Sequence, residues 1–65
     1  MEKYTGTVLT IDDHLGRLYC EDLETEFEFE NNNLPLENGD RVQFRLIMVA
    51  YVNQRVAIDV VRISD

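Results

Sequence analysis

Cysteine and histidine occur once each, as Cys20 and His14, and that scarcity closes several classes of function. A single cysteine cannot form an internal disulfide, and one Cys with one His falls short of the four ligands usual in a structural zinc site. No apolar run approaches the roughly 18 residues needed to span a membrane as a helix. The opening Met-Glu-Lys-Tyr-Thr carries no apolar stretch of signal-peptide length. A reduced, cytoplasmic setting with no membrane partner is the expectation. Positive charge is also scarce: six Lys and Arg face thirteen Asp and Glu, for a net charge of −7. Residues 1–40 carry eleven carboxylates against Lys3 and Arg17, a balance of −9, whereas residues 41–65 carry four arginines against Asp59 and Asp65, a balance of +2. Nucleic acid attracts proteins largely through phosphate neutralisation, so the first 40 residues work against that class of partner. No phosphate-binding glycine loop, catalytic triad or paired carboxylate with a general base occurs, and a non-catalytic chain without cofactor or metal is expected.

What is present is short and β-rich. The 65 residues are 45% apolar, enough for one globular domain over 1–65, although a chain of this size buries only about 60% of its unfolded surface. No helical period appears, and turn signals divide the chain into five strands. The first, residues 4–11, contains Val8, Leu9 and Ile11 out of alternation, which predicts a bulge or strong bend. Asp12-Asp13-His14-Leu15-Gly16 reads as a turn, with Gly16 free for positive φ. Strand two spans 17–21, with Leu18 and Cys20 on one face and Arg17 and Tyr19 on the other. Strand three, 26–30, alternates clearly: Phe27 and Phe29 inward, Glu26, Glu28 and Glu30 outward. Asn31-Asn32-Asn33 stops it, Leu34-Pro35-Leu36 crosses the barrel bottom, and Glu37-Asn38-Gly39-Asp40 is a turn. Strand four, 41–48, places Val42, Phe44, Leu46 and Met48 inward. Strand five, 54–63, places Val56, Ile58 and Val60 inward, with a bulge near Val61.

The whole chain resembles the cold-shock domain, an antiparallel five-stranded barrel of the oligonucleotide-binding (OB) type that binds single-stranded RNA and DNA. Thr5-Gly6-Thr7-Val8 is similar to the family's opening strand. Leu15-Gly16-Arg17-Leu18-Tyr19-Cys20 falls at its first nucleic-acid motif, Lys-Gly-Phe-Gly-Phe-Ile, and Phe27-Glu28-Phe29-Glu30-Asn31 at its second, Val-Phe-Val-His-Phe. Leu36-Glu37-Asn38-Gly39-Asp40-Arg41-Val42-Gln43-Phe44 resembles the family's Leu-x-x-Gly-x-x-Val-x-Phe entry into strand four. Val56-Ala57-Ile58-Asp59-Val60 resembles its Ala-Ala-x-Asn-Val ending. The S1-type RNA-binding barrel shares this architecture and is the runner-up resemblance. The resemblance implies an all-β barrel and places six base-stacking platforms at Thr10, Arg17, Tyr19, Glu28, Glu30 and Asn31. Of these only Tyr19 is aromatic and two are carboxylates, although each base–aromatic stack is worth roughly 1–3 kcal/mol.

Two functions follow as expectations. One is a cold-shock-like binding module with at most weak single-stranded RNA or DNA binding. The alternative is a protein-interaction module that has lost nucleic acid. Arg17 and Tyr19 read either as the remnant of a nucleic-acid face or as ordinary surface, with Arg17 pairing with Glu28 or Glu30. Glu26, Glu28 and Glu30 read as a solvated acidic face rather than a hard-cation site, and His14 as an exposed turn residue. Arg41, Arg45, Arg55 and Arg62 form either a basic stripe or a solubilising set. Ile47-Met48-Val49-Ala50-Tyr51-Val52, six apolar residues in a row, places Ile47, Val49 and Tyr51 away from the core if Met48 points inward. That is a contact patch for a protein partner or a homodimer, unless the barrel closes over it and Tyr51 caps the core.

Overall fold

In the computed structural model, which describes residues 2–31 and 35–63, backbone pairing organises the chain into β1 (Tyr4–Ile11), β2 (Leu15–Cys20), β3 (Thr25–Glu30), β4 (Arg41–Val49) and β5 (Gln54–Arg62). They close into a barrel in the order β1-β2-β3-β5-β4. This is the expected all-β, OB-type architecture. Four ladders are antiparallel, and the fifth, β3 with β5, is parallel and holds at the single register pair Phe29↔Ala57. The exception to the antiparallel expectation is geometric, because five strands in a ring cannot all alternate in direction. No helix among the described residues is long and apolar enough to cross a membrane. The expected stop at Asn32 and Asn33, and Leu34 of the expected crossing, lie outside the described residues.

The core is assembled from the inward phase of each strand: Val8, Leu18, Cys20, Phe27, Phe29, Val42, Phe44, Ala57 and Val60, with Leu36 from the crossing segment. Burying each large aliphatic or aromatic side chain stabilises the fold by about 1.5–3 kcal/mol. The irregularity expected in β1 is a bulge. Val8 pairs with Leu18 and Thr10 with Arg17, so Leu9 is the extra residue and is turned outward. Val8 exchanges backbone bonds with the 37–40 turn instead: its N–H donates to Asp40 (2.9 Å), and Gly39 N–H donates to its carbonyl (2.7 Å). Gly39 sits at φ 91°, a conformation that excludes most side chains.

Three expectations are corrected here. Gly16 is not a positive-φ turn residue; it lies in β2 against the Phe29 ring, and a Cβ there would collide with Cζ, Cε1 and Cε2 at the ring's tip. In β5 the inward residue is Ala57, while Val56 and Ile58 are half-buried on the outer side. The bulge expected near Val61 is present, with Asp59 (φ 52°) as the residue that resets the phase before Val60, since Gln43 pairs with Val61 but Arg45 with Ile58. Met48 is not inward in the core either: it is 57% exposed. β1 covers β4 only from Arg41 to Phe44, and Leu46 with its partner Ala57 still packs on the core, so β4 and β5 project as a two-stranded arm beyond that pair.

The Gly16–Phe29 contact yields a stability test. Gly16→Ala drives a methyl into a fully packed ring and should destabilise by about 1–3 kcal/mol in urea unfolding. In a Phe29→Leu background the same change should cost less, and full additivity would show that the contact does not set the cost.

Candidate binding face

Strand register decides which of the expected platform residues meet. On the outer face of the sheet Thr10, Arg17 and Glu28 form one row across β1, β2 and β3, and Thr7, Tyr19 and Glu26 form the next. Arg17 does pair with carboxylates, but with Glu26 (Nε to Oε1, 3.1 Å) and Glu28 (Nη1 to Oε2, 3.5 Å) rather than with Glu30. Glu28 is directly opposite Arg17, with Glu26 and Glu30 one diagonal step to either side, and the guanidinium turns to the Glu26 side. All three side chains are about half exposed, so these pairs are worth about 0–1 kcal/mol each. Glu26, Glu28 and Glu30 stand outward as expected, and among the described residues no three His, Cys, Asp or Glu side chains converge on a common point.

Asn31, one of the expected platform positions, is built into the fold. It is 8% exposed, its Nδ2 donates to the Asp12 carbonyl, and its backbone N–H donates to the His14 carbonyl (2.8 Å). It therefore fastens the β1–β2 loop against the end of β3. The loop is closed from its other side by Asp12, whose Oδ1 accepts the His14 (2.8 Å) and Leu15 (2.7 Å) backbone N–H groups. These donors, Leu15 first and then His14, hold the Asp12 carboxyl below its ordinary 3.8. His14 is exposed.

The arginines of the second half do not make an open basic stripe. Arg41 donates to Glu21 Oε1 (2.6 Å) and Thr7 Oγ1 (2.9 Å), Arg45 pairs with Asp59, and Arg62 reaches Asp40 at 4.0 Å. Arg55 lies over the Phe27 ring, 5.3 Å from its centroid. Glu21 is held below its ordinary 4.5, first by its own backbone N–H and then by Thr7 and Arg41.

Ile47, Val49 and Tyr51 fall on the outer side of the β4–β5 arm, as the apolar run suggested. Tyr51 is 92% exposed and caps nothing, Ile47 is exposed and Val49 half-buried. The sequence reading missed what they face. Together with Val56 and Ile58 of β5 they form one wall of a groove of about 430 Å³, and Leu15, Glu28 and Glu30 form the opposite wall. Its floor reaches the core at Phe29, Ala57 and Val60, because β3 and β5 are paired at only one position. The sequence does hold a signal for this groove: β5 carries apolar residues on both of its phases, as a strand apolar on its outer side must.

Two tests follow. Asn31→Ala should cost about 1–2 kcal/mol and speed amide exchange across residues 12–15, while Glu30→Gln leaves both unchanged; equal behaviour would return Asn31 to the surface. Asp12 and Glu21 both have lowered folded values, so their stabilisation is complete above the ordinary carboxylate range and is lost as pH falls through the folded values. Titration by NMR should place their midpoints below 3.8 and 4.5, and the stability loss at acid pH should flatten in Asp12→Asn.

No protein-family model matches the chain, and no curated protein matches it.

Proposed function

We propose that this chain is a non-catalytic, OB-type binding module whose outer face receives a polypeptide rather than a nucleic-acid strand. The cold-shock-like pattern, on this reading, marks the scaffold and not the ligand. One observation carries the choice: every arginine is already engaged by a carboxylate or an aromatic ring. Binding phosphates would require breaking those pairs on a surface that also presents Glu26, Glu28 and Glu30. The base-stacking contribution is equally thin. Tyr19 is half-buried, and its row partners are Thr7 and Glu26, neither of which offers a ring to a base. The apolar groove beside this face has the composition of a protein-contact surface, with a large exposed tyrosine at its rim.

A two-dimensional NMR titration with a short single-stranded pyrimidine oligonucleotide tests this reading. At physiological salt no binding tighter than about 10⁻⁴ M is expected, the weak end of nonspecific association. Micromolar binding would overturn it. Glu28→Phe with Glu30→His should restore measurable binding with a negative salt slope at little cost in stability, since both positions are exposed. In parallel, peptides selected by display against the wild-type chain should lose binding to Tyr51→Ser, and failure to select any would count against a polypeptide ligand.

A further inference from the structure

The groove between β3 and the β4–β5 arm is apolar on its floor and on its arm-side wall, and among the described residues the only charged side chains lining it are Glu28 and Glu30, with no lysine or arginine. We propose that its occupant is an extended segment of another protein in which Lys or Arg alternates with large apolar residues. This rests on the reading of the face as a polypeptide site and adds the chemistry of the partner.

Three observations select this occupant. The first is charge. Glu28 shares Arg17 with Glu26 at 3.5 Å, and among the described residues Glu30 has no ion pair, so negative potential along this wall is only partly cancelled. A cationic side chain arriving there meets an acceptor without displacing an existing partner. The second is spacing. Glu28 and Glu30 are two residues apart on one strand and project from the same face, which separates them by about 6–7 Å. Side chains two apart in another extended segment have the same separation, so two basic residues in alternation match the two carboxylates. The residues between them point the opposite way, toward the arm, where Ile47, Val49 and Val56 offer an apolar surface.

The third observation excludes a second copy of this chain. A symmetric dimer on this groove would bring Glu28 and Glu30 of one molecule near those of the other. Each chain also carries a net charge of −7. Like charges facing one another across an interface oppose association, so the exposed arm is better matched by a basic partner than by itself. On the arm Arg45 is paired with Asp59 and Arg55 lies over the Phe27 ring, and neither side chain lines the groove.

The probe is a synthetic octapeptide alternating Lys with Val and Leu, compared with the same peptide carrying Glu for Lys and with one carrying Ser for each apolar residue. Binding is followed by amide chemical shifts and fluorescence anisotropy at low and physiological salt. The Lys peptide should shift Glu28, Glu30, Ile47, Val49, Val56 and Ile58 saturably, and the other two peptides should not. Glu28→Gln with Glu30→Gln should weaken it about three- to tenfold, the worth of two exposed charge pairs. Asp22→Asn with Glu24→Gln, which removes the same charge from the β2–β3 turn, should leave it unchanged. Tyr51→Ser, at a side chain that packs on nothing, should weaken binding without loss of fold. Equal weakening by both charge-neutralising pairs, or equal binding of the Ser peptide, would overturn the proposal. If display instead yields neutral apolar peptides that bind the groove, the basic-segment inference falls while the polypeptide reading stands. If only the oligonucleotide binds, both fall. A concentration-dependent dimer in sedimentation, with shifts confined to the arm, would make the second copy the occupant.

Discussion

Closing five strands into a ring forces one neighbouring pair to run parallel, and in this barrel that pair is β3 with β5. Their backbone ladder holds one register pair, Phe29 with Ala57. The apolar groove and the packing of Phe29 are both arranged around that seam. On its inner side Phe29 is buried to 2% exposure and pressed on Gly16, so the seam is plugged by a core ring rather than by a long ladder of hydrogen bonds. On its outer side the missing ladder leaves a groove. A longer parallel ladder would draw β5 against β3 and bury Val56 and Ile58 beneath Glu28 and Glu30, which would strand carboxylates beside apolar surface with no cation to meet them. The short contact avoids that conflict by keeping both carboxylates at the solvent edge.

Electrostatics then divides the surface by function. Eleven carboxylates in the first 40 residues outnumber their local cations, and the four arginines of the last 25 are spent on crossing between elements. Arg41 ties β4 to Thr7 of β1 and to Glu21 at the end of β2, and Arg45 spans the Asp59 bulge. Exposed pairs of this kind add little stability singly. Their larger effect is to remove free positive charge from the surface, which leaves the outer sheet acidic beside an apolar arm. That outer surface presents carboxylates and aliphatic side chains rather than rings and cations.

The fold class, five strands, the inward Phe27 and Phe29, the outward glutamates and the β1 irregularity were all legible in the chain, because strand alternation with period two records which face is buried. Alternation fails as a guide wherever both faces are apolar or a residue is inserted. β5 combines the two conditions: Val56 to Val61 is apolar at five of six positions, and the inserted Asp59 shifts the phase by one. The inward face was therefore assigned to Val56 and Ile58 instead of Ala57. Met48 was misplaced for a related reason, since its strand keeps alternating after the barrel beneath it has ended.

By itself, then, the sequence determined the architecture, the acidic balance and the scarcity of outward rings, all properties carried by residue type and local order. Only the tertiary structure decided that Asn31 pins the β1–β2 loop and that Ile47, Val49 and Tyr51 face Glu28 and Glu30 across a groove. Those outcomes depend on register between segments far apart in the chain. Register is fixed by closure of the ring around Phe29 and Ala57, a constraint that no stretch of neighbouring residues contains.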